Sequence, residues 1–311
     1  MRKSVYKFIL IMFIAFSLIV INLAFYMIGI IDMSSMSKLV DKRFATVQKS
    51  IDNSNNEIDS IIAQVSEDNL IKAKAISIMM NQSPKAYLDS EELEETRIAL
   101  SVDEISITDE KGIVIAGTSP YLGQDFHNSD IEKQFLSAID NKSYTNVVNI
   151  KTDGIASQYA GVARLDKPGV ILIKATSNYL TQAIKLVGIS NVTSGLSTLK
   201  KGNLAIINKN SWEYVSHTDE TNIGKTVQIA KTQFKTIKAT EKGKFKMKIQ
   251  GVSSYVYYKN YNENIILADI PLSEVYTRRN YVVVSLIIAL PILCLIAILA
   301  IRKKMIDYKL E

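Results

Sequence analysis

The sequence predicts an α+β fold in which a long N-terminal stalk helix precedes two tandem strand-rich modules, with a transmembrane helix at each end. Two uninterrupted apolar segments near the ends of the 311-residue chain predict the transmembrane helices. A helical hydrophobic period after the first segment predicts the stalk. Two blocks of strands with a similar order of elements predict the modules.

Two apolar segments, residues 8–31 and 281–301, contain no Asp, Glu, Lys, Arg or His, and each is long enough to cross about 30 Å of hydrocarbon. A cleaved signal peptide is the alternative for the first segment, but its apolar stretch is long for one, and residues 33–36 (MSSM) lack a small-x-small cleavage site. A buried core helix is the alternative for the second, but Pro291 and the basic run at residues 302–304 favour a span. We therefore expect both segments to remain as transmembrane helices.

Basic residues are concentrated at the two ends of the chain. By the positive-inside rule, this predicts that residues 1–7 and 302–311 are cytoplasmic and that residues 32–280 are extracytoplasmic. Most of the formal net charge of +6 therefore comes from the predicted cytoplasmic ends. The outer region has no basic run, which argues against nucleic acid as a partner. The single cysteine, Cys294, lies in the second span, so the outer region is expected to fold without a disulfide.

Apolar residues recur at three- and four-residue steps between Phe44 and Val65, which predicts an amphipathic helix. With its continuation, this helix forms a stalk over residues 32–84 that is ended by Pro84 and its polar neighbours. The apolar seam of the stalk needs a cover. Either a second copy of the chain supplies it, which would make the protein a homodimer, or the seam packs on the chain's own sheets, and both interpretations remain open.

Residues 85–177 are predicted to form the first module. It opens with a short helix that has Ser90 as its cap and acidic residues in its first turn. The hydrophobic period then becomes that of strands, around a tight turn in which Gly112 adopts a positive φ, and a helix is predicted at residues 130–139. The predicted strands are residues 102–108, 113–116, 144–150, 157–165 and 170–174.

A connecting helix over residues 178–199 is predicted to lead to a second module over residues 200–275. A loop through His217 and a helix near residues 229–234 precede its last three strands. The final strand passes through Pro271 into the second span, so this module has a covalent route to the membrane. The predicted strands are residues 204–207, 244–249, 254–258 and 265–270.

Several segments resemble a known family. Residues 103–112 (DEISITDEKG) and 158–169 (QYAGVARLDKPG) resemble the first half of double Cache (dCache) extracytoplasmic sensor domains, as in clostridial-type methyl-accepting chemotaxis receptors. Residues 205–210 (AIINKN), 216–217 (SH) and 223–225 (IGK) resemble the membrane-proximal half. The resemblance implies an α+β fold with a long N-terminal stalk helix and two tandem PAS-like (Cache) modules between two transmembrane helices. It also implies a membrane-bound sensory receptor that binds a small extracellular ligand in the membrane-distal module and transmits the signal across the membrane.

A ligand pocket is expected between the first sheet and the loop-helix segment of residues 119–135, where irregular backbone faces a concave sheet. Aspartates can accept hydrogen bonds from a ligand ammonium there, and tyrosines can wall the pocket and offer a hydroxyl. The alternatives are that Asp125 is a local turn cap and that Tyr159 belongs to the core. The resembled amino-acid sensors carry an arginine-aromatic cluster at the start of the pocket helix, whereas residues 128–133 contain no Arg or Trp, which argues against amino-acid recognition and leaves the ligand open. The candidate ligand-binding residues are Tyr121, Asp125, Asp130, Tyr144, Asp153 and Tyr159.

Catalytic and metal chemistry is not predicted. The two histidines, His127 and His217, fall in different modules, so we expect no metal site and no cofactor. The sequence contains no nucleophile elbow, phosphate loop or HExxH motif, and we expect no enzymatic activity. Trp212 and the tyrosines of residues 255–261 could form a stacking platform for sugars, but alternation within strands assigns them to the core and rim of the second module.

Receptors of the resembled type continue through a HAMP linker into a signalling tail, whereas residues 302–311 alone follow the second span here. We expect either a truncated receptor or a stand-alone sensor that acts through a cytoplasmic or membrane signalling partner. The alternatives are the sensor portion of a histidine kinase, diguanylate cyclase or serine phosphatase, and a ligand-binding or adhesion protein without its own output.

Overall fold

The computed structural model describes residues 2–118, 120, 122–152, 155–194, 196, 201–229, 231–249 and 251–307. The chain divides into two compact units. Asp52–Ile189 form one unit, here named the first module, and Met1–Ile51 with Ser190–Glu311 form the other, named the second module. Each contains one five-stranded antiparallel sheet, which confirms the predicted α+β fold with two strand-rich modules.

The first span and the stalk form one uninterrupted helix, α1, over Arg2–Gln82. It contributes its N-terminal part to the second module and residues 52–82 to the first. The helix ends two residues before Pro84, since a proline ring disfavours helical conformation in the residue that precedes it. The stalk is predicted to end at residue 84, two residues beyond the last residue of α1.

Helix α2, Ser90–Leu100, follows in the first module. The predicted cap at Ser90 is wrong by one residue, because the Asp89 side chain accepts the hydrogen bond from the Glu91 backbone N–H at 2.9 Å. A carboxylate at this position also interacts favourably with the positive end of the helix dipole. The helix ends at Ser101, which has a left-handed backbone conformation with φ of 51°.

The first sheet has the strand order β2-β1-β5-β4-β3, with all neighbours antiparallel. Its strands are β1 Glu104–Thr108, β2 Val114–Gly117, β3 Thr145–Thr152, β4 Ile155–Ala163 and β5 Val170–Thr176. The turn between β1 and β2 contains Gly112 with φ of 77°, as the sequence predicts, and the Asp109 carboxylate accepts hydrogen bonds from the backbone N–H groups of Lys111 and Ile113.

The two faces of the first sheet are covered differently. On one face, Ile76 and Met80 of α1 and Leu93 of α2 pack on alternate strand residues and are fully buried. On the other face lie two 3-10 helices, Phe126–Asn128 and Glu132–Ala138. The predicted helix at residues 130–139 is correct in position but wound more tightly, with hydrogen bonds that span three residues rather than four.

The predicted connecting helix is shorter than expected. Helix α3 covers Asn178–Val187, and Ser177 caps it by accepting a hydrogen bond from the Leu180 N–H at 2.9 Å. Gly188 follows directly, and glycine often ends a helix because fixing its flexible backbone in the helical conformation costs the most conformational entropy. A 3-10 turn, Ile189–Asn191, comes next, and residues 195 and 197–200 lie outside the described part of the chain.

The second sheet repeats the topology of the first, with the order β7-β6-β10-β9-β8. Its strands are β6 Asn203–Asn208, β7 Tyr214–His217, β8 Lys242–Ile249, β9 Val252–Tyr261 and β10 Asn264–Pro271. The prediction of a loop through His217 is wrong, because His217 is the last residue of strand β7. This strand has four residues, and a register shift interrupts its pairing with β6. Helix α4, Lys231–Ala239, lies between β7 and β8, slightly after its predicted position.

Helices cover both faces of the second sheet. On one face, Ile237 of α4 packs with Val256 and Tyr258. Strand alternation places Tyr257 and Lys259 on the other face, where they hydrogen-bond to Met33 and Gln48 of α1. A buried apolar stripe of α1 lies within this module and consists of Met36, Val40, Phe44, Val47 and Ile51.

Burial of this stripe answers part of the question about the stalk seam. From Met36 to Ile51 the seam is covered by the chain itself, with residual exposures of 5% or less. Further along, Ile58, Ile61 and Val65 are partly exposed. A homodimer built on the outer part of the stalk stays a prediction.

The second module leads directly into the C-terminal apolar segment. Strand β10 is followed by a single helical turn, α5 Leu272–Val275, and then by α6 Thr277–Asp307. The helices α1 and α6 are long and apolar enough to cross a membrane. Large apolar side chains in both segments are exposed, which a water-soluble surface rarely tolerates over so wide an area, so the chain is that of a membrane protein.

Candidate functional site

A cavity of about 220 Å³ lies in the first module, between the sheet and the segment that contains the two 3-10 helices. The sequence predicts a pocket at this place. Its volume is below the range of about 300–1,000 Å³ that is typical of sites for drug-sized ligands, so it fits a smaller molecule. The cavity is lined by Glu104, Ser106, Gln124, Phe126, Glu132, Tyr159, Leu172 and Lys174.

Strand register brings the sheet residues of this cavity together. Successive side chains of a strand alternate between faces, so Glu104 and Ser106 of β1 share a face. In the neighbouring strand, Lys174 is directly opposite Glu104, and in the strand after that Tyr159 is directly opposite Lys174. Three polar residues therefore form a row across β1, β5 and β4, although up to 70 residues separate them along the chain.

The row is held by a charged hydrogen bond. Lys174 Nζ lies 3.0 Å from Glu104 Oε1 and 5.8 Å from the centre of the Tyr159 ring. The hydrogen bond to Glu104 raises the pKa of Lys174, against an opposing effect of partial burial. Burial raises the pKa of Tyr159, so its hydroxyl stays protonated and can donate a hydrogen bond at neutral pH.

The opposite wall of the cavity carries a second carboxylate. Glu132 starts the longer 3-10 helix, and Ser129 Oγ donates a hydrogen bond to Glu132 Oε2. The lining thus contains two carboxylates and one ammonium group, which gives it an excess of one negative charge. Phe126 and Leu172 supply apolar surface next to these groups. The arrangement suits a small polar molecule that carries a positive charge or several hydrogen-bond donors.

Two of the predicted site residues have their carboxylates engaged elsewhere. Asp125 caps the first 3-10 helix, with Oδ1 at 2.9 Å from the His127 backbone N and 2.7 Å from His127 Nδ1. The backbone hydrogen bond from His127 is the main cause of the lowered pKa of Asp125. The Asp130 side chain is 94% exposed and pairs with Lys133. The local-cap interpretation of Asp125 therefore agrees with its geometry.

The other predicted site residues divide into three cases. Tyr159 lines the cavity. Tyr144 packs beside Phe135 in the cluster under the 3-10 helices, and its hydroxyl donates to the Gln134 carbonyl. Tyr121 and Asp153 lie outside the described residues. A role in ligand binding stays a prediction for all six residues.

The sequence interpretation did not select Glu104, Glu132 or Lys174. Glu104 and Lys174 carried a signal that could have found them, because each is a charged residue within a strand whose neighbouring residues are mostly apolar, in the runs EISI and VILIK. Such residues are expensive to place on a sheet face unless they are paired, so they point to one another and to a polar site.

A second cavity, of about 430 Å³, lies within the second module. Burial raises the pKa of the Asp269 carboxyl there, and Asn203 donates a hydrogen bond to it at 3.1 Å. Burial lowers the pKa of His217, whose Nδ1 accepts a hydrogen bond from the Asp219 N–H at 2.9 Å. Within the described ranges, no group of three or more His, Cys, Asp or Glu residues is arranged to hold a metal ion.

Comparisons with known proteins concern the fold. No protein-family model and no curated protein matches the sequence. The sensor domain of the V. cholerae histidine kinase DctB matches at 13% identity and a TM-score of 0.35, over 76% of this chain and 98% of its own. The sensory domain of the Campylobacter jejuni chemoreceptor Tlp3 matches at 9% identity and a TM-score of 0.37, over 77% and 97%. The periplasmic domain of RsbU from Chlamydia trachomatis matches at 16% identity and a TM-score of 0.35, over 78% and 98%.

Proposed function

We propose that this chain is a double Cache sensory receptor module, which binds a small extracellular ligand in the first-module cavity and transmits the signal across the membrane. The observation that carries the proposal is the cavity itself. Its lining comes from three strands and from the segment with the 3-10 helices, so one ligand can contact both. A ligand that holds these parts together stabilises one arrangement of the module over another.

The proposed ligand class follows from the charge of the cavity. Glu132 and the Tyr159 hydroxyl face it from opposite walls, and Lys174 is already paired with Glu104. An amine or a polyhydroxylated molecule of a few heavy atoms can satisfy these groups without leaving a buried charge unpaired.

The ligand experiment uses the full chain in detergent or nanodiscs. A library of small amines, amino acids and sugars is screened for an increase in Tm. Glu132→Gln should weaken the response to a cationic hit at least tenfold, because it removes a charge-assisted hydrogen bond worth about 1.5–3 kcal/mol. Asp140→Asn removes the same charge from an exposed residue that follows the longer 3-10 helix and does not line the cavity, and it should change nothing.

A cavity-filling variant makes the test independent of charge. Ser106→Leu places a branched side chain in the cavity and should abolish stabilisation by every hit. If hits stabilise Ser106→Leu as well as the wild type, the cavity is not the ligand site and the proposal is wrong.

The proposed route of the signal runs along the chain from β10 through α5 into α6. A ligand moves such an equilibrium only through its different affinity for the two states, and a nearly complete switch needs about 5.5 kcal/mol of difference. We therefore expect a saturating ligand to change hydrogen exchange in residues 265–275. Unchanged exchange there, with ligand demonstrably bound, would contradict the proposed coupling.

The proposed topology places the modules outside the cell and both termini in the cytoplasm. Because Cys294 is the single cysteine of the sequence, a Cys294→Ser chain provides a clean background. In that background, Trp212→Cys should react with a membrane-impermeant maleimide on intact cells. Lys303→Cys should react with it only after the cells are lysed. The reverse pattern would invert the topology.

The proposed output is of the chemotaxis-receptor type, with a kinase, a cyclase or a phosphatase as the alternative. Chimeras can distinguish them. Residues 1–301 joined to the signalling part of a methyl-accepting receptor should make swimming bias depend on a ligand from the screen. A response that arises only with the histidine kinase fusion would favour the alternative.

A further inference from the structure

A third cavity, of about 630 Å³, lies in the second module and has no part in the proposed ligand site. Its walls come from helix α1, from the edge strand β8 and its neighbour β9, and from residues 276 and 279 around the start of α6. The lining residues are Phe25, Tyr26, Gly29, Ile30, Met33, Ser34, Ser37, Lys244, Tyr255, Tyr276 and Arg279.

Several lining residues lie at or beside the ends of the two apolar segments, so the cavity lies at the membrane–water interface, on the extracytoplasmic side in the proposed topology. Phe25 and Ile30 belong to the last turns of the first apolar segment. Tyr276 and Arg279 stand directly before the second apolar segment. Tyrosine and arginine are typical of this level, where lipid headgroups meet water. The cavity is therefore open to molecules of the headgroup layer.

The charge of the lining is positive. Arg279 and Lys244 are cations, and none of the described lining residues carries a carboxylate. Asp32 accepts hydrogen bonds from Arg278 Nε and from the Arg279 backbone N, each at 2.9 Å, and does not line the cavity. The two lining cations thus give the cavity the opposite sign to the first-module cavity.

The Arg279 guanidinium is held in a fixed orientation. Its central carbon lies 4.1 Å from the Phe25 ring centre and 4.0 Å from the Tyr276 ring centre. The Asn280 side-chain oxygen accepts from Nε and Nη2 at 3.2 and 3.0 Å, which engages two of the five N–H donors. A Cβ atom on Gly29 would lie 3.4 Å from Arg279 Cδ, an ordinary van der Waals distance, so the Arg279 side chain lies directly beside this turn of α1. A planar, oriented guanidinium is well suited to a phosphate.

We propose that this cavity binds the phosphate headgroup of an anionic phospholipid from the outer leaflet. Arg279 and Lys244 contact the phosphate, and the apolar wall formed by Phe25, Ile30 and Met33 contacts the glycerol and upper acyl carbons. That apolar wall favours a lipid over free phosphate, because a free anion gains nothing from it. A bound lipid contacts both α1 and α6 and so holds the outer ends of the two spans together.

The test compares lipids that differ only in headgroup charge. The full chain is purified, and its retained lipids are measured by native mass spectrometry after titration with phosphatidylglycerol or phosphatidylcholine of identical acyl chains. Wild type should prefer phosphatidylglycerol. Each basic residue near an anionic lipid surface contributes about 1 kcal/mol, so Lys244→Gln with Arg279→Gln should weaken phosphatidylglycerol binding about 30-fold.

Two further variants complete the test. Lys235→Gln removes the same charge from an exposed position on α4, which covers the opposite face of the sheet, and should leave the preference unchanged. Gly29→Leu keeps both cations but fills the cavity, and it should also abolish the preference.

Three results would overturn the proposal. Equal binding of the two lipids by wild type would remove the headgroup preference. An unchanged preference in the double variant would place the site elsewhere. Displacement of phosphatidylglycerol by inorganic phosphate at similar concentration would assign the cavity to a free anion.

Discussion

Gln158 connects the stalk to the first sheet through a buried hydrogen-bond network. Its side chain is 1% exposed. The amide nitrogen donates to Ser66 Oγ at 2.9 Å and to Asn149 Oδ1 at 2.7 Å, and the amide oxygen accepts from Asn69 Nδ2 at 2.8 Å. Ser66 and Asn69 belong to α1, whereas Gln158 and Asn149 belong to neighbouring strands. The substitution Gln158→Met removes these hydrogen bonds at nearly constant volume.

The expected magnitude follows from the groups that lose a partner. Asn69 is 2% exposed, so its amide loses a buried acceptor, which costs about 1–3 kcal/mol. Ser66 and Asn149 are partly exposed, and water can replace the lost bonds at smaller cost. We expect Gln158→Met to destabilise the first module by about 2–4 kcal/mol.

The assay is hydrogen exchange of the full chain, read in residues 52–189 and compared with the second module as an internal control. The double variant Gln158→Met with Asn69→Leu removes both partners and should recover about 1 kcal/mol or more, since no buried amide is then left unpaired. If the double variant is as unstable as the sum of the two single variants, the network does not act as a unit and this reasoning is refuted.

Three further predictions concern single residues. Gly161→Ala should destabilise the first module by about 1–3 kcal/mol in urea unfolding, because the new Cβ would lie 2.2 Å from Phe135 Cδ1. Burial alone would raise the pKa of Asp166, but its hydrogen bonds from Arg164 outweigh burial and lower the pKa. This contribution to stability is present above the ordinary aspartate pKa and lost as the pH falls through the lowered one, and Asp166→Asn should flatten the acid limb of a Tm-against-pH curve. Burial raises the pKa of Asp269, so its contribution has the opposite sign and is lost as the pH rises, and Asp269→Asn should raise the Tm of the second module at neutral pH.

The spacing of apolar residues predicted most of the helices and strands. Each strand of the first sheet was predicted because its apolar residues alternate or form a short apolar run between turn residues, as in VILIK before Ala175. Strand β7 was missed, because its residues YVSH bury the polar side chains Ser216 and His217 and so show no apolar alternation. The connecting helix was predicted too long: α3 ends at Val187, and residues 188–195 (GISNVTSG) are mostly residues of low helix propensity.

The candidate site was predictable in place but less so in its residues. The two 3-10 helices over residues 126–138 pack on the sheet, where the sequence predicts the pocket. The sequence analysis selected Asp130, whereas Glu132 lines the cavity. A 3-10 helix has fewer residues per turn than an α-helix, so a given residue points in a different direction, and the sequence does not reveal which helix forms. The pairing of Glu104 with Lys174 depends on strand register, and register is set by tertiary contacts over 70 residues of chain.

Asp32 offers a final test of how the two spans are joined. It lies just after the first apolar segment, is 7% exposed, and accepts hydrogen bonds from Arg278 Nε and the Arg279 N–H, each at 2.9 Å. The Arg279 N–H is in the first turn of α6, where backbone N–H groups have no partner within the helix. A carboxylate of one span thus caps the helix of the other, with help from the helix dipole.

Graded substitutions separate the charge from the hydrogen bond. Asp32→Asn keeps an acceptor of the same shape, and because Arg278 is half exposed we expect a loss of about 1 kcal/mol or less. Asp32→Ala removes the acceptor as well, and the loss of a helix cap costs about 0.5–2 kcal/mol more. Pairs of cysteines can be introduced into α1 near Asp32 and into α6 near Arg279. With Asp32 intact, disulfides should form at a few specific pairs of positions, and this specificity should decrease in Asp32→Asn and further in Asp32→Ala. Equal results in all three chains would mean that packing alone joins the two helices and that the Asp32 hydrogen bonds do not.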